Sequence, residues 1–352
     1  MTGQLARHRE PIADAIQGIV DESSEYLDAA SQWSADLRDR LLEFANRGKM
    51  IRGSLVVAGA EVFGYRPDSD LYRVAAAVEL VQSFLLIHDD IMDQDETRRG
   101  APAVFAQYRD LGRSSGYARP QRFGESMAIC GGSVALLIAI EAIASTSFDP
   151  QLRTELIRRL SVEIAAVGVA QMADVANGHR RNTAEEDEIL TVYRYKTGRY
   201  TFSLPLSLGA LIAGASQSDV ERLIDWGELQ GTVFQIRDDQ LNVMEDGSAT
   251  GKPAGSDIAA DKQTLHRLKL FSAASGTRWE PVLSWFGKPM TNRRLVELRS
   301  AMEELGVLSE IDQLVEELVE ESEGLITRIE GFKNGARSMF GEIASFNRGR
   351  RS

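Results

Sequence analysis

The chain has 352 residues, 43% of them hydrophobic and 26% charged, enough for one large domain or two ordinary ones around a substantial core. Its 40 Lys and Arg against 52 Asp and Glu leave a formal net charge of -12, which argues against nucleic acid or any partner held by phosphate neutralisation. The single cysteine, Cys130, excludes an internal disulfide or a thiolate metal cluster, and its small-residue surroundings read as those of a buried, inert thiol in a reducing compartment.

In chain order, residues 1–14 carry mixed charges and no apolar stretch of signal-peptide type, so a cytoplasmic protein is expected. Helical periodicity with an apolar stripe or a fully buried face then covers residues 13–30, 36–45, 54–63, 71–93 and 125–144. It continues over residues 149–177, 185–213, 219–245 and 292–329, the last with a Glu-rich solvated face. Few segments alternate like strands. The breakers are local: Gly64-Tyr65-Arg66-Pro67, the basic connection 110–124, and the loop 246–256 with its Gly-Lys-Pro. The longest apolar runs, 134–140 and 204–215, fall short of the roughly 18 to 20 residues of a membrane span. With no linker or repeat, residues 1–352 read as one all-α domain, a large helical bundle.

Chemistry first shows in Leu85-Leu86-Ile87-His88-Asp89-Asp90-Ile91-Met92-Asp93, where three acids close an apolar helix. Asp89 and Asp93, four apart, project from one face and repel each other unless a cation neutralises them. Oxygen-only donors suit Mg²⁺, which combines a few carboxylates with phosphate oxygens. The alternative is a solvated helix end paired with local arginines. Gln235-Ile236-Arg237-Asp238-Asp239-Gln240-Leu241-Asn242 repeats the design late in the chain. Bases lie close by: Arg98 and Arg99 after the first acids, Lys49 and Arg52 beside Gly48, Lys196 beside Thr197, then Lys252 and Lys262.

The stretches Gly48-Lys49-Met50-Ile51-Arg52, His88-Asp89-Asp90-Ile91-Met92-Asp93 with Arg98-Arg99-Gly100-Ala101-Pro102, Tyr195-Lys196-Thr197-Gly198, Phe234-Gln235-Ile236-Arg237-Asp238-Asp239 and Gly251-Lys252-Pro253 resemble, in order and spacing, the motifs of the trans-isoprenyl diphosphate synthases. The resemblance runs from about Gly48 to the last long helix, and is nearest the geranylgeranyl diphosphate synthases. It implies an isoprenoid-synthase-type homodimer, each bundle surrounding a deep central cavity. It also implies that Asp89, Asp93 and Asp238 hold Mg²⁺, as a cluster of three ions, on an allylic diphosphate, with Asp90 and Asp239 in support. Arg98, Lys196 and Lys262 would stabilise the departing diphosphate, and Thr197 and Gln235 the allylic cation. Lys49, Arg52, Arg99 and Gln82 would hold isopentenyl diphosphate, and Lys252 joins the substrate-binding set.

Four positions depart from the family pattern: Asn242 stands for the third acid of the second motif, Gly53 for a usual proline, Gly132 for a frequent aspartate, and Asp261 for the glycine before Lys262. A helix rises about 1.5 Å per residue, so Leu85 lies one turn below Asp89 and Val81 another turn down, with Phe84 flanking them. In the family, an aromatic at the place of Phe84 stops elongation early, and a second at the place of Leu85 favours fifteen carbons. Geranylgeranyl diphosphate is therefore the expected product, and farnesyl diphosphate the alternative. A class I terpene cyclase has no use for the Lys49, Arg52 and Arg99 set; a non-catalytic subunit of a related synthase is kept open by Asn242; a bundle that merely binds cations leaves the bases unexplained.

Overall fold

The computed structural model describes residues 3–180, 183–244 and 254–350. They form two compact units: one runs to Arg159 and includes Pro205–Ala215, the other comprises Leu160–Leu204 and the chain from Ser216.

Helices α1 (Gly3–Ala6), α2 (Arg9–Leu27), α3 (Trp33–Asn46) and α4 (Ile51–Glu61) lead to α5 (Ser69–Asp93). A hairpin of β1 (Thr97–Arg98) and β2 (Ala101–Pro102) follows, then α6 (Val104–Ser114), α7 (Pro120–Ala144), α8 (Pro150–Gly178), α9 (Glu186–Val192), a π-helix at Tyr193–Ser203 and α10 (Leu204–Ile212). The remainder is α11 (Gln217–Met244), α12 (Ser256–Ala259), α13 (Leu265–Ala274), a 3₁₀ helix at Glu280–Trp285, α14 (Asn292–Glu304), α15 (Val307–Thr327) and α16 (Ala336–Arg348).

In the first unit α5 is the central helix. The Asp68 carboxylate accepts the Leu71 amide as its N-cap, and α2, α4 and α7 pack around it, burying nearly every residue from Val74 to Ser83. A Cβ on Gly209 of α10 would overlap the Val56 carbonyl of α4, so glycine there lets the two backbones touch. In the second unit α11 lies against the π-helix, α15 and α16, and Val233, Ile236, Leu265, Leu298 and Val315 sit in one apolar core.

The all-α expectation holds, with differences that have local causes. Residues 292–329 are two helices, because Gly306 adopts φ +74° between α14 and α15. Residues 185–213 are α9, the π-helix and α10 rather than one α-helix. The basic connection 110–124 is mostly helical, with Pro120 opening α7 at a position that needs no amide donor. Cys130 is exposed rather than buried: α7 is apolar on all sides, so composition does not tell its outer face from its inner one. Both α5 and α7 are long and apolar enough to cross a membrane by length and composition. Yet α5 also carries Glu79, Asp89, Asp90 and Asp93, and 67% of its apolar window is buried inside the protein, as in a core helix.

Candidate active site

In the first unit the three aspartates occupy the last turn of α5, the negative end of its dipole, where carboxylates are stable only beside cations. Arg98 supplies one. Its Nε donates to Asp90 Oδ1 at 2.6 Å, and its Nη2 reaches Asp89 Oδ2 at 3.5 Å and Asp95 Oδ2 at 3.1 Å. Asp90 is fully buried; burial outweighs Arg98 and pushes its carboxyl up to about 6, and Oδ2 has no hydrogen-bond partner. Asp89 and Asp93 are partly exposed. The hairpin turns on Arg99 and Gly100, both at positive φ (+53° and +75°), the conformation a two-residue turn requires.

Arg99 turns to the other basic motif. Its Nη1 donates to the Phe44 carbonyl at 3.1 Å, and a Cβ on Gly48 would lie 2.8 Å from that nitrogen, so the glycine admits the guanidinium. Met50, at φ +50°, turns the chain into α4, leaving Lys49 exposed. Buried Glu79 accepts the Gly53 amide at 2.8 Å; burial raises its pKa, while the Gly53 amide and the charges of Arg52 and Arg99 pull it down. Glu79 thus lies where the charges of both Arg52 and Arg99 act on it, a position that sequence reading missed because a lone acid in an apolar helix gives no signal. Gly53 also makes sense here, since the proline usual at this place would lack the donated N–H. Gln82 and Val81 are buried and Leu85 is partly so. Phe84 packs edge-on to His88, centroids 4.7 Å apart.

In the second unit, Tyr195-Lys196-Thr197-Gly198 lies within the π-helix, whose wide turns are frequent at functional sites. Gly198 and Gly231 meet backbone to backbone, and this contact seats the π-helix on α11. A hydrogen-bond chain follows: Thr197 Oγ1 donates to Gln235 Oε1 at 2.7 Å, Gln235 Nε2 to Asp239 Oδ1 at 2.8 Å, and the Tyr193 hydroxyl to Asp239 Oδ2. Burial, reinforced by the Asp257 charge, pushes Asp239 up to about 8. Lys196 pairs with Asp174 at 2.6 Å, and Lys262 lies 3.9 Å from Asp257. Lys252 falls outside the described residues.

Asp238 faces Arg350, whose Nη2 is 2.9 Å from its Oδ1 and whose guanidinium lies 3.8 Å above the Phe234 ring. Sequence reading missed Arg350 too, for it is far along the chain in a basic tail. Asn242 does not point free: its Nδ2 donates to Ser256 Oγ at 2.8 Å, and its Oδ1 accepts the Asp257 amide at 3.1 Å. Asp261 sits at φ +51°, the left-handed region where glycine is strain-free, and its Oδ1 accepts Arg267 Nε at 2.8 Å in compensation.

Among the described residues, no three His, Cys, Asp or Glu side chains already converge as a metal cage. Magnesium does not need one: one or two carboxylates suffice, with water and phosphate oxygens completing its octahedron. Half-exposed aspartates, Asp89 and Asp93 in the last turn of α5 and Asp238 in the C-terminal part of α11, are donors of that kind.

These elements define an all-α protein of the isoprenoid synthase type, with paired aspartates and attendant bases as its chemical equipment. Residues 35–303 match the model of the polyprenyl synthetase family, and the chain belongs to that family of prenyltransferases. It is 34% identical to a short chain isoprenyl diphosphate synthase of Methanothermobacter thermautotrophicus, over 80% of this chain and 76% of the other. It is 30% identical to a geranylgeranyl diphosphate synthase of Sulfolobus acidocaldarius, over 71% of each. Its fold superposes on a geranylgeranyl pyrophosphate synthase of Corynebacterium glutamicum, solved with isoprenyl diphosphate and magnesium, with a TM-score of 0.91 and 26% identity over 99% of both chains.

Proposed function

We propose that the chain, acting as one catalytic domain, ionises an allylic diphosphate (dimethylallyl, geranyl or farnesyl) and condenses it with isopentenyl diphosphate, giving geranylgeranyl diphosphate. The observation that carries this reading is the pair of aspartate sets, one at the end of α5 and one in the C-terminal part of α11, each beside basic groups, together with an Arg52–Glu79–Arg99 set suited to a second diphosphate.

Asp89, Asp93 and Asp238 would hold magnesium, three ions in the family's manner. When bound, the metal supplies positive charge to the oxygen leaving carbon. Arg98, Lys196 and Lys262 bind the same diphosphate and stabilise charge as it builds there. The Thr197 hydroxyl and Gln235 amide, fixed by their mutual hydrogen bond, set dipoles beside the allylic cation. Buried Asp90 and Asp239 orient Arg98 and Gln235 respectively. Lys49, Arg52, Arg99 and Gln82 hold isopentenyl diphosphate while its double bond attacks the cation. The proton lost from the adduct passes to the released diphosphate. Phe84, with Leu85 and Val81 behind it, limits the growing tail; a non-aromatic Leu85 favours twenty carbons over the fifteen of farnesyl diphosphate.

The enzyme is proposed to be cytoplasmic and a homodimer. Incubation with each allylic starter, isopentenyl diphosphate and Mg²⁺, read by mass spectrometry, is expected to give the twenty-carbon diphosphate. A hydrocarbon from an allylic diphosphate alone would reveal a cyclase, and no turnover a non-catalytic subunit.

A further inference from the structure

Gly132 occupies a buried position on α7, packed against α5. A Cβ built there would lie 2.7 Å from both Cδ2 and Nε2 of His88, closer than real carbons approach, so the imidazole occupies the space that any other residue would fill. The ring is fixed at both edges. Its Nε2 lies 3.1 Å from the Ile129 carbonyl, one turn earlier on α7, and donates to it, since a carbonyl oxygen can only accept. On its other side the ring meets Phe84 edge-on at 4.7 Å and 68°, one turn back along α5. An aromatic stop is only as sharp as its rotamer is fixed, and His88 fixes this one.

We propose that Gly132 and His88 are positioning residues for product length: the glycine admits the imidazole against α7, and the imidazole holds Phe84 where it ends elongation. This rests on the reading of Phe84 as the stop. The anchor points of the prop, Gly132 and the Ile129 carbonyl, are on a different helix from the stop itself, so length would be set jointly by α5 and α7.

The test compares the products of wild type, Gly132→Ala, His88→Asn, Phe84→Ala and the two double variants with Phe84→Ala, using farnesyl and geranylgeranyl starters with isopentenyl diphosphate and Mg²⁺. Loss of the aromatic contact is expected to raise the ratio of longer to twenty-carbon product about two- to tenfold in Gly132→Ala and in His88→Asn. In the Phe84→Ala background neither substitution should add anything, because both act through that ring. His88→Asn introduces no atoms into α7, so the comparison stands even if Gly132→Ala does not fold. An unchanged ratio in His88→Asn, or an equal shift with and without Phe84, would overturn the proposal. An unchanged ratio in Phe84→Ala would instead overturn the stop itself. General loss of stability lowers yield but lengthens nothing, so chain length separates positioning from mere structure.

Discussion

Asn242 uses both ends of its amide to tie the end of α11 to the start of α12, donating to Ser256 and accepting from Asp257, while its own carbonyl accepts the Gly255 amide. It is buried, and it neighbours a site where Asp239 already has its pKa raised by burial and by Asp257. Restoring the family's acid here would put another carboxylate into a desolvated corner beside Asp239 and Asp257. Asn242→Asp is therefore expected to destabilise the protein by about 1–3 kcal/mol, read as a lower urea midpoint at pH 7.5, and not to improve turnover. The same logic explains why an amide is tolerated: its work at this position is structural. Residue identities of this kind were visible in the sequence as departures, but their reasons were not, because Ser256, Glu79, His88 and Arg267 are partners that only folding brings to Asn242, Gly53, Gly132 and Asp261.

Among the elements, those with strong periodicity and a clear cap could be read directly: α5 starts one residue after Asp68 and ends at Asp93, close to the expected 71–93. The π-helix could not, because an 11-residue run of wider turns keeps the composition of an α-helix and differs only in hydrogen-bond register. The hairpin at Thr97–Pro102 is too short to show alternation, and its turn is evident only from the positive φ of Arg99 and Gly100. Helix α13 gave no periodic signal strong enough to read, yet it carries the most perturbed histidine. His266 is buried in the second unit with neither ring nitrogen bonded, and burial, with Arg237 nearby, lowers its pKa to about 4. An unfolded histidine protonates near 6.5. The stability that this difference supports is fully present above pH 6.5 and is lost as pH falls through 4, about 3 kcal/mol in all. Urea midpoints measured across that window should fall in the wild type and fall less in His266→Met, which fills the same space with no group to charge.

On the scale of the whole molecule, two helices leave large apolar side chains in water. Leu137 of α7 is 64% exposed, and on α8 Val169 and Met172 are 67% and 71% exposed. Single exposed hydrophobics are ordinary on a monomer, but repeated ones along a long helix mark a surface that another chain covers. The homodimer proposed above would supply that cover, and a net charge of -12 would make association depend on such apolar patches, since two copies repel each other at long range. Size-exclusion chromatography with light scattering should therefore give twice the chain mass of 38.8 kDa. Placing a charge in either patch, by Met172→Glu on α8 or Leu137→Glu on α7, should leave a desolvated carboxylate in the proposed interface and shift the population to monomer at micromolar protein. Helix content by circular dichroism should stay unchanged, because neither side chain contributes to the core of its own unit. A wild type that elutes at a single chain mass would mean that these side chains face solvent for another reason, and the symmetric assembly would have to be given up.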